Sequence, residues 1–190
     1  MGMNNETAIK EKALGLWSRR GYSAVGIQEI CTLSGITKPT LYHYFGSKQG
    51  LLAQILDSGY GLLCPILESQ GAYQGNMDAA LKSWSDIWMQ DAVKNPDFFR
   101  LTLALGVAPP DSEEAATVSP WYSRIVFSLI TLFENATRDH GNMKGRAQTY
   151  ALSFFGLMQT HGNMVLNRRL SWTEDYAQKT LHYFKHGIYS

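Results

Sequence analysis

The stretch that decides the fold is residues 34–48, which read Ser-Gly-Ile-Thr-Lys-Pro-Thr-Leu-Tyr-His-Tyr-Phe-Gly-Ser-Lys. Thr37 has the hydroxyl of a helix N-cap, and Pro39 is tolerated in the first turn because its missing N–H would have no intrahelical partner there. Leu41 and Phe45 give this helix an apolar face that can be buried. We therefore predict a short helix that starts after Thr37 and ends at the Gly-Ser pair that follows Phe45.

A second short helix is predicted just before it. Ile27, Ile30 and Cys31 share one face of this helix, and Gly35 ends it. Two short helices joined by the turn Ser-Gly-Ile have the length and turn chemistry of a helix-turn-helix, in which the second helix presents its outer face to a DNA groove. That face has no acid, which suits a polyanion, and its residues are Thr37, Lys38, Thr40, Tyr42, His43 and Tyr44.

These motifs resemble the N-terminal DNA-binding domain of TetR-family transcriptional regulators. The resemblance is carried by residues 21–31 and 34–52, and its most specific part is Thr-Leu-Tyr-His-Tyr-Phe at 40–45, followed by Ser-Lys and then Leu-Leu. It covers about residues 8–56, whereas the remaining chain is similar to the family only in the number and order of its helices. It implies an all-α homodimeric regulator whose N-terminal helices bind DNA and whose C-terminal helices form an effector pocket and a dimer interface.

The resemblance also implies a role for each DNA-contacting residue. Lys38, Pro39 and His43 are expected to face base edges, which carry the sequence information. The residues expected to contact phosphate or to position the helix are Thr37, Thr40, Tyr42 and Lys48. Gly26 stands where the family usually has a hydroxyl residue, and we expect backbone N–H groups at its helix N-terminus to bind a phosphate. Tyr44 is expected to be a packing residue.

The hydrophobic pattern of the whole chain repeats with the period of an α-helix, and no segment alternates for long enough to form a strand. The fold class is therefore predicted to be all-α. Pro65 is expected to kink or end the fourth helix, and residues 107–118 to form a long loop. The pair Ser119-Pro120 is expected to open the next helix, and the capping box Ser-Trp-Thr-Glu from Ser171 to open the last one.

The composition is that of a folded protein with few charges. The chain has 190 residues, of which 45% are hydrophobic, 12% aromatic and 17% charged, so it can bury a sizeable core and line a pocket or an interface. Its net charge of +1 is unevenly distributed, because the first 50 residues contain six Lys or Arg against three Asp or Glu. This basic end agrees with nucleic-acid binding, but the imbalance is too small to establish it.

The sequence lacks the motifs that are typical of several other functional classes. Cys31 and Cys64 form no CxxC pattern and have no companion histidine cluster, so neither a disulfide framework nor a zinc site is indicated. Cys31 is interpreted as a small core residue, with a redox switch as the alternative. His182 and His186 lack an acid or cysteine to complete a metal site, and no GxSxG, HExxH, P-loop or GxGxxG pattern occurs. We expect no enzyme activity, metal or cofactor; an adaptor protein is the remaining alternative.

The expected cellular compartment is inferred from the lack of a membrane span, a signal sequence and a disulfide framework. The longest apolar stretch, residues 125–133, is far shorter than a membrane span, and the N-terminus has no apolar signal core. The two cysteines in the absence of a disulfide framework fit a reducing environment. We therefore expect a soluble cytoplasmic protein with no membrane partner.

Residues 1–46 are predicted to bind DNA, and residues 47–190 to bind an effector and a second copy of the chain. The candidates for a mainly apolar or aromatic effector pocket are Trp84, Trp88, Phe98, Phe99, Arg100, Trp121, Tyr122, Phe127, Phe154, Phe155, Met158 and His161. The candidates for the dimer interface, with packing inside the chain as the alternative, are Gly156, Gly162, Trp172 and Phe184. We expect the dimer to repress transcription from a palindromic operator and to be released by the effector.

Overall fold

The computed structural model of the chain describes residues 5–187. In this range it consists of nine α-helices and one short 3-10 turn with no β-strand, which confirms the predicted all-α class. The helices are α1 (Asn5–Arg20), α2 (Ile27–Ser34), α3 (Lys38–Phe45), α4 (Lys48–Gln70), α5 (Met77–Lys94), α6 (Pro96–Leu105), α7 (Glu113–Ala136), α8 (Ala147–Leu166) and α9 (Glu174–His186). The 3-10 turn (Gly141–Met143) precedes α8.

The two helices of the predicted helix-turn-helix are fixed by caps at the turn between them. Thr37 is the N-cap of α3, and its Oγ1 accepts a hydrogen bond from the Thr40 N–H at 3.4 Å. Gly35 ends α2 with a φ of 67°, a left-handed conformation that favours glycine, and its N–H donates to the carbonyls of Cys31 and Thr32. The local signals in the sequence therefore set both ends of this turn.

The predicted long loop at residues 107–118 is wrong, because α7 already begins at Glu113. Ser112 supplies its cap, since the Ser112 Oγ accepts a hydrogen bond from the Ala115 N–H at 3.2 Å. Pro120 therefore lies inside α7, and the Ser-Pro pair does not open a helix as predicted. The helix tolerates the backbone hydrogen bond that the proline removes because apolar side chains on both sides of it are buried.

α4 also continues past a proline. Pro65 does not end the helix, which runs on to Gln70. Among the described helices, α4 is the one that is long and apolar enough to cross a membrane by length and composition. Leu51, Leu52 and Leu56 are fully buried in the protein, so the core accounts for much of its apolar character.

The start of α9 differs from the prediction by two residues. Its N-cap is Thr173, whose side chain accepts a hydrogen bond from the Tyr176 N–H at 3.3 Å. The predicted capping box places the cap at Ser171, which is wrong. Both residues have a hydroxyl, but the capping-box pattern favours Ser171, because Glu174 stands three residues after it, whereas Tyr176 stands three residues after the actual cap, Thr173.

The chain folds as two compact units. Unit one runs to Gly61 and also contains Asn95–Tyr122, and unit two consists of Leu62–Lys94 and the chain from Ser123 onward. α4 and α7 each contribute residues to both units. The predicted division of roles after residue 46 concerns function and stays a prediction.

Unit one is built around aromatic side chains. Trp17 of α1 is fully buried, and its ring centroid lies 4.9 Å from that of Tyr22. Tyr60 of α4 is stacked on Trp121 at 5.6 Å and meets the edge of Phe98 at 5.1 Å. Because α1 also packs against α6, the helix-turn-helix shares its core with α6 and the first part of α7.

Unit two has an aromatic core of its own, made by α5 and α8. Trp84 stacks on Trp88 with ring centroids 5.3 Å apart. Phe154 contacts the Trp84 ring at 5.5 Å, and Phe155 contacts the Trp88 ring at 5.6 Å. These edge-to-face and stacked pairs fix how the two helices cross.

We expect Gly59→Ala to lower the free energy of unfolding by about 1–3 kcal/mol, the usual cost of overpacking a core. A Cβ at residue 59 would come within 2.2 Å of the Phe98 ring. Gly61→Ala is the matched control in the same helix, because a Cβ there would have no neighbour within 4 Å. Urea unfolding followed by circular dichroism measures both variants. A Gly59→Ala protein as stable as Gly61→Ala would contradict this close packing.

Candidate nucleic-acid interface

The outer face of α3 is exposed and its inner face is buried. Leu41 and Phe45 point into the core. The residues at the start and on the outer face of α3 that are exposed to solvent are Thr37, Lys38, Pro39, Tyr42 and His43, and Thr40 is half-buried. Six of the eight residues predicted to contact DNA are therefore brought together by this short helix and its N-cap. The face has no acidic residue, so it can approach a phosphate backbone without repulsion.

The start of α2 offers backbone N–H groups as further hydrogen-bond donors. Gly26 is the exposed N-cap of α2 with extended backbone, and no side chain makes a cap hydrogen bond there. The first backbone N–H groups of a helix have no intrahelical acceptor and carry the positive end of the helix dipole. This geometry suits the predicted phosphate contact at Gly26.

The hydroxyls at the start of α3 are partly used inside the protein. The Oγ1 atoms of Thr37 and Thr40 lie 2.9 Å apart and share a hydrogen bond. Tyr44 is half-buried, and its ring contacts the rings of His43 at 5.7 Å and Phe45 at 6.0 Å. Tyr44 therefore packs within its own domain, in line with the role expected for it.

Lys48 makes an interaction that sequence reasoning does not predict. Its Nζ donates to the Tyr22 carbonyl at 2.7 Å and lies 4.0 Å from the centroid of the Tyr22 ring. Burial lowers the pKa of Lys48, and the carboxylates of Glu113 and Glu114 act in the opposite direction. An ammonium group has three donors, so the predicted phosphate contact of Lys48 stays a prediction beside this internal bond.

The two cysteines are buried and free. Burial raises the pKa of the Cys31 thiol, and the positive charge of Lys38 only partly offsets this effect. Burial also raises the pKa of Cys64 to about 11. A buried thiol with a raised pKa is a poor nucleophile, which supports the interpretation of Cys31 as a small core residue.

The residues predicted to line an effector pocket are divided between the two units. Unit one contains Phe98, Phe99, Arg100, Trp121 and Tyr122, and unit two contains Trp84, Trp88, Phe127, Phe154, Phe155, Met158 and His161. In unit one, Phe99 is buried and Arg100 lies 3.5 Å from the Asp97 carboxylate. The Tyr122 hydroxyl donates to the Thr102 carbonyl, and burial raises its pKa. Several of these side chains therefore have partners inside unit one.

In unit two, most of the predicted residues also contact one another. Trp84, Trp88, Phe154, Phe155 and Met158 are buried, and the aromatic pairs among them form the core described above. The remaining two, His161 and Phe127, lie outside that aromatic core. His161 has both ring nitrogens engaged: Nδ1 lies 2.8 Å from the Leu157 carbonyl and Nε2 lies 3.3 Å from the Tyr176 hydroxyl.

A half-open cavity of about 260 Å³ lies in unit two between the last turns of α4 and the second half of α7. Phe127, which is 69% exposed, is the predicted residue that lines it. Its walls are Leu67, Glu68, Gly71, Ala72, Tyr73, Phe127, Ser128, Thr131, Leu132 and Asn135. Arg124 donates to both carboxylate oxygens of Glu68, at 2.5 and 2.7 Å, and these bonds lower the pKa of Glu68. The cavity is thus mainly apolar with one neutralised ion pair.

The predicted dimer residues have different environments. Gly156 is exposed on α8, with open space where a Cβ would be, whereas Gly162 is buried. Trp172 donates from Nε1 to the Asp86 carboxylate at 3.4 Å, and Phe184 lies 5.2 Å from Phe154. The side chains of Trp172 and Phe184 therefore have partners in their own chain.

No cluster of three metal-ligating side chains occurs among residues 5–187. His182 and His186 lie on α9 with ring centroids 4.5 Å apart, and both are exposed. A pair of histidines supplies only two ligands, whereas a typical catalytic zinc site has three protein ligands.

Comparison with known proteins identifies the N-terminal part of the chain. A sequence model of bacterial regulatory proteins, tetR family, matches residues 9–55. The uncharacterized HTH-type transcriptional regulator YuxN of Bacillus subtilis (strain 168) is 27% identical over 108 residues, which are 57% of this chain. The chain spans only 37% of the length of YuxN. The resemblance drawn from residues 8–56 is confirmed, and the matched family consists of regulatory proteins rather than enzymes, as predicted.

Solved structures share the fold over nearly the whole chain. FadR from Bacillus subtilis in complex with stearoyl-CoA has a TM-score of 0.79 at 15% identity, over 96% of this chain and 98% of that chain. AibR in complex with isovaleryl coenzyme A and operator DNA has a TM-score of 0.73 at 20% identity, over 95% of this chain and 97% of that chain. At these identities the likeness concerns the fold.

Proposed function

We propose that the chain, whose residues 9–55 match the tetR family of bacterial regulatory proteins, is a transcriptional repressor that binds double-stranded DNA as a homodimer. The observation that carries this proposal is the acid-free, exposed outer face of α3 above the buried Leu41 and Phe45. A protein that binds chromosomal DNA in a bacterium acts in the cytoplasm.

In this proposal α3 enters the major groove. Lys38 and His43 supply hydrogen-bond donors to base edges, and Pro39 supplies an apolar contact. The hydroxyls of Thr37 and Tyr42 and the N-terminus of α2 at Gly26 bind phosphates, which fixes the register of the protein on the duplex. Thr40 and Lys48 hold the helix and contribute to the same backbone contacts.

We expect His43→Ala to weaken binding to the preferred operator by about 1–3 kcal/mol and to relax sequence preference at the contacted base pair. The operator is first obtained by selecting bound duplexes from a random library with the wild-type protein. Fluorescence anisotropy then compares the selected duplex with a scrambled one. His182→Ala, at an exposed histidine of α9, is the control and should bind as wild type. The role of His43 is refuted if its variant keeps wild-type selectivity, and DNA binding itself is refuted if the wild type binds no duplex at low salt.

The exposed face of α8 supports the homodimer. α8 contains no Asp, Glu, Lys or Arg in its whole length. Its exposed positions are Gln148, Thr149, Leu152, Ser153, Gly156, Thr160, Asn163 and Met164. They follow helical spacing along one side, and Leu152 among them is 50% exposed. Charged residues are depleted from the cores of protein interfaces, and a two-fold axis would place this face against itself.

We expect Gly156→Arg to dissociate the dimer, because an arginine would introduce a charge and a long side chain into an uncharged contact. Gln90→Arg, at an exposed position of α5, adds the same charge elsewhere. Sedimentation velocity at micromolar protein gives the oligomeric state of each. A dimer of Gly156→Arg with unchanged affinity would contradict this interface, whereas a monomeric wild type would contradict the homodimer. Two DNA-binding helices must be about 34–36 Å apart to reach successive major grooves, so the monomer should also lose operator affinity.

The effector is proposed to be a small molecule with a mainly apolar or aromatic body. The cavity beside Phe127 supports this, because its lining is mainly apolar and the nearest charges, those of Glu68 and Arg124, are already paired. Its volume of about 260 Å³ suits a short branched acyl group or a single ring better than a long acyl chain. Two regulators with the same fold were solved with acyl thioesters of coenzyme A.

We propose that the effector acts through α4, whose first half belongs to unit one and whose second half ends beside this cavity. Occupancy of the cavity would favour a position of α4 that no longer fits the operator. Allosteric couplings of this kind are typically about 1–3 kcal/mol, which corresponds to a loss of affinity of about 5- to 150-fold.

We expect the short branched acyl group of isovaleryl-CoA to occupy this cavity, so this thioester should raise the melting temperature and weaken operator binding within that range, while free coenzyme A and glucose 6-phosphate do neither. Phe127→Ala should reduce the shift in melting temperature. Val93→Ala is the control, because Val93 is similarly exposed (65%) and lies outside the cavity. Differential scanning fluorimetry and anisotropy measure the two effects. A response to the sugar phosphate and to no apolar compound would reject an apolar effector.

A further inference from the structure

We propose that Glu113 and Glu114, at the start of α7, are positioning residues for DNA binding that hold the turn between α1 and α2. The contacts among these two acids, Tyr22, Ser23 and Lys48 are called the acidic latch below. All five residues belong to unit one. This inference rests on the proposed function and adds to it residues that contact no DNA.

Two hydrogen bonds tie the α1–α2 turn to α7. The Tyr22 hydroxyl donates to Oε1 of Glu113, and the Ser23 hydroxyl donates to Oε1 of Glu114 at 2.5 Å. Tyr22 is 5% exposed and Glu114 is 9% exposed, so neither group can exchange its partner for bulk water without movement. The buried Glu114 carboxylate would remain as an uncompensated charge without its donor, which makes the bond from Ser23 costly to break. Glu113 is exposed and can be solvated, so in the other bond it is the buried Tyr22 hydroxyl that would lose its partner.

Lys48 closes the latch from α4. Its Nζ donates to the Tyr22 carbonyl and lies against the Tyr22 ring, so the ring, the hydroxyl and the carbonyl of Tyr22 all have polar partners. The hydrogen bond from Ser23 lowers the pKa of Glu114, and the charge of Lys48 acts in the same direction. The two acids also lie in the first turn of α7, where the helix dipole favours negative charge.

One turn further along α7, another hydrogen bond connects this helix to the start of α4. The Gln49 Nε2 donates to the Thr117 Oγ1 at 3.1 Å. Glu113, Glu114 and Thr117 therefore connect the first turns of α7 to both the α1–α2 turn and the start of α4. This makes the position of the turn depend on α7 rather than on local sequence alone.

The latch can affect DNA binding because the turn leads directly into α2. The Tyr22 carbonyl accepts the Val25 N–H at 3.3 Å as well as the Lys48 ammonium. The next residue, Gly26, is the N-cap whose helix start is proposed to bind a phosphate. A displacement of Tyr22 would therefore move the donors at the start of α2 away from their register on the duplex.

A simple electrostatic role predicts the opposite effect. Acids that merely lie near a DNA-binding surface repel phosphates, so their removal strengthens binding to every duplex. Positioning residues instead favour the selected operator, so their removal weakens binding to it. The sign of the change therefore distinguishes the two roles.

The first test is Tyr22→Phe, which removes one hydroxyl, changes no charge and lies at a buried residue that cannot contact DNA. We expect about five- to tenfold weaker binding to the selected duplex, in keeping with the loss of one ordinary hydrogen bond to a solvent-exposed acceptor. Binding to a scrambled duplex and the slope of log affinity against log salt should stay unchanged. A merely structural defect would instead lower the active fraction for both duplexes equally. Wild-type affinity for the selected duplex would overturn the proposal.

The second test compares Glu113→Ala with Asp111→Ala. Both variants remove one negative charge near the start of α7, but only Glu113 bonds to Tyr22. Glu113→Ala should weaken operator binding, and Tyr22→Phe added to it should cause no further loss. Asp111→Ala should leave binding unchanged or strengthen it slightly. Stronger operator binding by both variants would show that the acids act only through their charge.

Hydrogen exchange of the protein without DNA separates this proposal from the proposed function. Glu113→Ala should speed exchange of the Val25 amide, which is bonded to the Tyr22 carbonyl, by about tenfold or more. Unchanged exchange there shows that the acids do not hold the turn and overturns the latch even if the protein binds DNA. A wild type that binds no duplex overturns the proposed function and the positioning role together, whatever the exchange result.

Discussion

The burial of Leu41 and Phe45 is the constraint on which the rest of the molecule's proposed chemistry depends. α3 is a helix of eight residues, too short to be stable by itself in water. Its orientation therefore comes from tertiary packing, and the two buried side chains decide which residues face outward. With these two inside, helical geometry leaves Lys38, Tyr42 and His43 on the solvent side. The face proposed to contact DNA is thus a consequence of how the domain fills its core.

Much of this face could be predicted from sequence because the signals are local. The Thr37 cap, the left-handed Gly35 and the spacing of Leu41 and Phe45 all act within one or two turns of the chain, so they can be recognised from neighbouring residues. The same kind of reasoning mispredicts the start of α7. Ser-Pro at residues 119–120 resembles a helix start as strongly as Ser112 does, and only the packing of α7 decides between them.

Long-range partners could not be predicted from these signals. Glu113 and Tyr22 are separated by 91 residues, and nothing in either segment indicates the other. The aromatic residues illustrate a related difficulty, because Tyr60, Trp84 and Phe127 are chemically similar but occupy a core of unit one, a core of unit two and a cavity wall. Helical spacing gives the buried side of a helix, whereas the identity of the neighbour depends on the tertiary fold.

The strength of the contacts at the start of α7 suits regulation better than a larger apolar interface would. A hydrogen bond to a charged group contributes about 1.5–3 kcal/mol, and typical allosteric couplings amount to about 1–3 kcal/mol. An effector can supply that much differential binding energy, so one such bond can be broken reversibly. The apolar contact of the fully buried Trp17 with Tyr22 is less suited to regulation. Exposing an aromatic side chain costs more free energy than breaking one hydrogen bond and would destabilise the fold. A continuous α7 has its latch residues in unit one and Phe127, at the cavity, in unit two. The helix thereby has weak polar bonds in its first turn and the proposed effector site further along, and in the proposed mechanism these bonds can change while the apolar core of each unit stays intact.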